Sequence, residues 1–211
     1  MTTKDKDTLT EMTREESLAL IAQVMKKTQK EVGKSTGVPF IIWGGVTTFV
    51  SIVVWFALMY TNNRIMNLLW LLIPVLGSLI SVWTKRRHPV HCSTELSRLI
   101  SRLWLTIGSC VMVFAFAPML YAQITGTWPM HYNILFVISL LLSVGTTITG
   151  IMVKENMTVV SGGIGLVLVL VFPLFTYYFA SLQVLYFGCI FFATMFVPGV
   201  FLNRIKASAD V

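Results

Sequence analysis

His88, His91 and Cys92 fall within one five-residue stretch, and imidazole and thiolate are ligand types that hold zinc. The set is incomplete. The remaining histidine, His131, lies beyond a further apolar run, so a fourth ligand would have to be Glu95 or Glu155. The same stretch follows Lys85, Arg86 and Arg87 and reads equally as the wet end of a membrane helix, with Pro89 stopping that helix. No metal and no other cofactor is expected.

Catalysis and ion coupling need ionisable groups where the chemistry happens. The acids are Asp5, Asp7, Glu11, Glu15, Glu16, Glu31, Glu95, Glu155 and Asp210, and every one falls outside the apolar runs. No carboxylate is therefore placed at mid-membrane, where coupled transporters carry protons or sodium. A serine–histidine pair, paired aspartates or a metal-binding set for intramembrane proteolysis cannot be assembled either. Gly162, Gly163 and Gly165 open an apolar helix and suit close helix packing better than phosphate binding. No catalytic residue is expected.

The polar matter inside the apolar runs is hydroxyl. Ser139, Ser143, Thr146 and Gly150 are spaced four, three and four apart and line one helix face. Gly44, Thr48 and Ser51 do the same in the first run, and Pro74, Ser78 and Ser81 nearly repeat it in the second. Such a face either lets helices approach and hydrogen-bond, or lines a path or pocket for a neutral or amphipathic molecule. Pro74, Pro118 and Pro173 add kinks and freed carbonyls to the second reading.

The elements that must position these groups are membrane helices. Of 211 residues 55% are hydrophobic and 12% charged, with mean hydropathy +0.77, against about 25% charged in an ordinary soluble domain. Apolar runs occupy 38–60, 67–83, 103–122, 131–153, 158–177 and 182–202. A span needs about 20 residues, so the second is a little short. The last two are separated at 177–183, where tyrosines and polar atoms collect. Continuous runs, lacking strict alternation, argue against a β-barrel. The expectation is an all-α polytopic bundle of six transmembrane helices in three hairpins over 37–204. A cytoplasmic arm (1–36) precedes it and a short cytoplasmic tail (205–211) follows. Tyr121, Trp128 and Tyr132 read as an interface belt beside the longest outer loop.

The direction of the spans follows from the cations. With the N-terminus inside, Arg64 alone of the 16 Lys and Arg residues falls outside. N-in, C-in insertion is expected, and the +7 charge then points to anionic lipid rather than to nucleic acid. Cys92, Cys110 and Cys189 sit in separate segments and give no disulfide framework. The first apolar run begins near residue 38, which reads as a retained signal anchor.

Within the arm, Thr13 and Glu16 fit a capping box. Leu18, Ile21, Met25 and Val32 recur near helical spacing against Lys26, Lys27 and Lys30. This predicts an amphipathic helix on the inner leaflet; a helix packed on the bundle ends and a solvated arm are the alternatives. Lys26, Lys27, Lys30, Lys85, Arg86 and Arg87 are the expected contacts to lipid headgroups.

The three expected hairpins share features. Their first helices carry Gly44-Gly45, Gly108 and Gly162-Gly163-x-Gly165, and their second helices return with Gly or Pro before a cation. Parallel repeats about the membrane normal are a known architecture. The stretches FIIWGGV (40–46), LLWLLIPVLGSLIS (68–81), GTTITGIMVKENMTVVSGGIG (145–165) and FVPGVFLNRI (197–205) resemble a family of small bacterial membrane proteins. That resemblance covers most of the membrane region and implies six spans in the bacterial inner membrane; it carries no activity and no site residues. The sequence therefore points to a non-enzymatic protein that binds lipid or a small lipophilic ligand, or supports a cytoplasmic protein partner or a second copy. A transporter or channel for a neutral or amphipathic molecule, not coupled through intramembrane carboxylates, is the alternative.

Overall fold

The computed structural model describes residues 14–61, 64–87, 95–126 and 133–207. Among these the chain is all-helical, with no strand. Helices α1 (Arg14–Thr61), α2 (Leu72–Arg87), α3 (Glu95–Thr125), α4 (Ile134–Val153) and α5 (Asn156–Tyr178) come first. The remainder is α6 (Gln183–Phe191), a π-helical turn at Phe192–Phe196, and α7 (Val197–Ala207). Short 3₁₀ segments, Arg64–Leu71 and Ala180–Leu182, precede α2 and α6.

Five stretches are long and apolar enough to cross a membrane: Thr36–Thr61, Glu95–Thr125, Ile134–Val153, Asn156–Tyr178 and Ala180–Asn203. This is consistent with a membrane protein. The second expected span differs from the others. Its apolar part, Leu68–Thr84, is shorter, and its first residues are wound as 3₁₀ helix rather than α. A 3₁₀ turn rises about 2.0 Å per residue against about 1.5 Å for α, so the winding lengthens a short run slightly.

The expected N-terminal arm and the first span are not separate helices. α1 is unbroken for 48 residues, about 72 Å at 1.5 Å per residue, with Pro39 inside it. Thr13, the expected cap, lies outside the described residues, as do residues 208–211 of the expected tail.

The core is made by α1, α4, α5 and the last helical stretch. Phe40, Leu142, Val169, Phe172, Phe187, Ile190, Phe191 and Met195 form its main cluster. Val50, Val54 and Val184 form a second cluster, roofed by Trp55 and Trp70. The Trp55 Nε1 donates to the Ser181 carbonyl at 3.0 Å and ties the end of α1 to the connection between α5 and α6. α4 and α5 meet in a tight turn. Asn133 caps α4 by accepting from the amides of Leu135 and Phe136, and Lys154 ends it in the left-handed conformation with its N–H on Gly150 and Ile151.

α2 and α3 are peripheral. α2 leans on α1, where Gly77 meets the ring of Trp43. In α3 only 6% of the apolar window is buried, against 28–50% in the other four spans. Two residues tether it: Ile100 is buried with Val153 and Leu202, and Trp104 meets Phe40 edge-on at 5.2 Å and donates from Nε1 to Thr149 Oγ1 at 3.2 Å.

Candidate functional site

The hydroxyl face of α4 points into the bundle. Ser139, Ser143 and Thr146 are fully buried, and Gly150 is buried at the α5 contact. A Ser or Thr in a helix can return its hydroxyl hydrogen to the carbonyl one turn back. Ser139 does so to Leu135 (2.7 Å), Ser143 to Ser139 (2.8 Å) and Thr149 to Gly145 (2.7 Å). Their donors are thus satisfied without water or ligand.

Glycine lets the neighbouring backbones come close to this face. A methyl group on Gly165 would lie 2.6 Å from Ser143 Oγ, and one on Gly150 would lie 2.6 Å from the Val159 nitrogen. Ser161 donates to the carbonyl of Ala193, within the π-helical turn, and Thr194 of that turn returns its hydroxyl to Ile190 at 2.7 Å. The π turn releases carbonyls from the regular ladder, and Ser161 engages one of them.

The face on α1 behaves alike. Ser51 is fully buried and donates to Thr47 at 2.8 Å. Thr48 donates to Gly44 at 2.7 Å, with the Gly188 carbonyl of α6 at 3.2 Å. Ser78 is elsewhere: it is exposed on the outer surface of α2 and does not join the inward faces. The structure therefore brings Ser139, Ser143, Thr146 and Gly150 into the α4–α5 interface and Thr48 and Ser51 into the α1–α6 interface. Five buried hydroxyls, those of Thr47, Ser81, Thr146, Thr158 and Thr176, have no hydrogen-bond partner among the described residues.

No protein-family model, curated protein or solved structure matches this chain. Its chemistry has to be argued from its own residues.

The basic residues are the second candidate set. Lys26, Lys27 and Lys30 belong to α1 and Lys85 to α2, but their side chains lie outside the described residues. Arg86 and Arg87 are exposed at the end of α2. The Arg87 guanidinium carbon stands 3.9 Å above the Trp83 ring, a cation–π contact between positions four apart on the helix. Beside it is a shallow, open groove of about 490 Å³ on the surface of α2, lined by side chains of that one helix: Leu79, Ile80, Val82, Trp83 and Arg86. Four of these liners are apolar and one is a guanidinium. The groove residues escaped the sequence reading, although 79, 82, 83 and 86 share helical spacing and Trp83 adjoins the cations.

Among the described residues no group of three His, Cys, Asp or Glu side chains could hold a metal ion. His88, His91, Cys92 and His131 lie outside the described residues.

Proposed function

We propose that this chain is a non-enzymatic bacterial inner-membrane protein of six spans that acts by binding a lipid or small lipophilic ligand on its outer surface. In this reading Leu68–Thr84 is the second of the six spans, both termini are cytoplasmic, the three hairpins repeat, and the chain belongs with the six-span bacterial family it resembles. Snorkelling by the cations at 85–87 makes up for the short second span. The distribution of cations in the sequence supports the orientation. A reporter fused to the C-terminus that is active only in the cytoplasm should be active; activity only of a periplasmic reporter would refute the topology.

The observation that carries the binding reading is the shallow open groove on the surface of α2, lined by four apolar side chains and Arg86. The hydroxyl faces, by contrast, are occupied by their own helices' carbonyls and by neighbouring glycines. Native mass spectrometry of the full chain released from lipid nanodiscs tests it. Wild type should retain lipid, and Val82→Trp, which fills the groove, should retain less. Equal retention by both would remove the groove from the reading.

A second reading has its own support. Leu18, Leu20, Ile21 and Val24 are exposed on the part of α1 that precedes its apolar span. Apolar side chains exposed away from lipid mark interaction surfaces. A cytoplasmic partner or a second copy could dock there, and deleting residues 1–30 should then abolish partner recovery while the bundle still folds. The transport alternative draws only on the unpartnered hydroxyl of Thr146.

A further inference from the structure

We propose that the basic end of α2 is a binding site for an anionic phospholipid, with its phosphate on Arg86 and an acyl chain along Leu79, Ile80, Val82 and Trp83. This rests on the lipid-binding reading above and adds the headgroup class and the residue that selects it. The liners fall on one helix face, and from Leu79 to Arg86 the helix rises about 10 Å. A chain lying along the apolar stretch therefore arrives at the guanidinium with its headgroup end.

The arginines divide the work. Arg87 lies over Trp83 and fixes the indole as a wall of the groove. Arg86 lines the groove itself and has no carboxylate partner among the described residues, whose one ion pair is Arg98–Glu95. A guanidinium matches two phosphate oxygens in a planar fork, and an anionic lipid brings no ammonium of its own to oppose it. Free phosphate would gain nothing from the four apolar liners. The combination of a long apolar wall with one terminal cation selects an amphiphile from the bilayer.

The test uses the full chain in nanodiscs of equal phosphatidylglycerol and phosphatidylcholine, with retained lipid weighed by native mass spectrometry. Wild type should hold phosphatidylglycerol about fivefold above its bulk share, the effect of one cation at an anionic surface. Arg86→Gln should return that ratio to the bulk value while total retained lipid stays near wild type. Lys154→Asn removes an exposed cation from the α4–α5 turn, in a residue suited to its left-handed backbone, and should keep the enrichment. Enrichment that survives Arg86→Gln, or that falls equally with Lys154→Asn, would overturn the site, the latter leaving only diffuse surface charge. Lipid retained by wild type without preference would refute the anionic assignment alone. No retained lipid at all would sink the lipid-binding reading with it. Ten-millimolar inorganic phosphate, roughly a cellular excess, should leave the ratio unchanged; displacement would point to a soluble anion instead.

Discussion

Gly162 and Gly163 are neighbours on α5, at one depth and in one helix, yet the structure gives them opposite surroundings. A methyl group on Gly162 would lie 2.7 Å from the Thr147 nitrogen and 2.9 Å from its Cα, both backbone atoms of α4. Backbone cannot swing aside as a side chain does, so the α4–α5 pair has to separate by several tenths of an ångström. Overpacking of that kind costs about 1–3 kcal/mol. A methyl group on Gly163 meets nothing within 4 Å. There the only change is helix propensity, a gain of about 0.5–1 kcal/mol. The same gain offsets part of the cost at Gly162, so the two variants should differ by about 2 kcal/mol. For a chain of this size that corresponds to an apparent melting difference of about 6 °C. Tryptophan fluorescence in one detergent, at one scan rate, measures it: Gly162→Ala should melt below wild type and Gly163→Ala at or above it. Equal melting of the two would refute the close α4–α5 approach, and with it the packing account of the glycine-rich start of α5.

Thr146→Val replaces a fully buried hydroxyl that has no partner with a methyl group of similar size. Removing an unsatisfied buried hydroxyl should leave stability unchanged or raise it by about 1 kcal/mol; a loss of 2 °C or more in the same melt, about 1 kcal/mol, would mean that the hydroxyl has a partner. Trp104→Phe deletes the Nε1 donor to Thr149 while an aromatic ring still faces Phe40. The expected cost is about 1 kcal/mol, felt at α3, and hydrogen exchange along Glu95–Thr125 should rise while that of α4 and α5 stays level. Uniform acceleration across all helices would count against the Trp104–Thr149 contact acting locally on α3.

Much of the helical layout was legible in the sequence, because long apolar runs report directly on the solvent the chain needs. The break between the last two runs, placed at 177–183, coincides with the end of α5 at Tyr178 and the 3₁₀ segment at Ala180–Leu182. Helix ends elsewhere were less legible. The boundary at residue 36 is a change in polarity, and polarity does not interrupt the backbone ladder, so α1 runs through it. The winding of Arg64–Leu71 as 3₁₀ helix and of Phe192–Phe196 as π helix left no signal in apolar periodicity. The hydroxyl faces were legible as faces but not as directions. Ser51 is buried, with its hydroxyl on the Thr47 carbonyl, and Ser78 is exposed, although both sit on faces of the same small, weakly polar kind. Composition likewise could not distinguish Gly162 from Gly163. Spacing names the residues on a face, and only the neighbouring backbone decides which face is buried.

This division bears on where function can sit. In water, polar residues go outward, and a buried polar cluster is a first candidate for chemistry. In this bundle many of the polar groups inside, Ser51, Ser139, Ser143, Thr149 and Thr194 among them, are hydroxyls already served by their own helices' carbonyls, and glycine brings the next backbone against this face. They hold the core together and leave little capacity for a solute. The full charges are the opposite case. They cannot be served within an apolar helix, and Arg86 and Arg87 stand at its end. One of these is engaged by Trp83, and the other faces a groove whose remaining liners are apolar. The peripheral α2, short in its apolar run and resting on α1 through Gly77 and Trp43, is therefore the element to which the proposed binding is assigned. On the proposed reading of Leu68–Thr84 as a span, its shortness would draw the headgroup layer inward beside it, because a bilayer thins to match a short apolar length. Such thinning would bring phosphate toward Arg86, so on that reading the shortness of α2 and the cation at its end favour the same ligand.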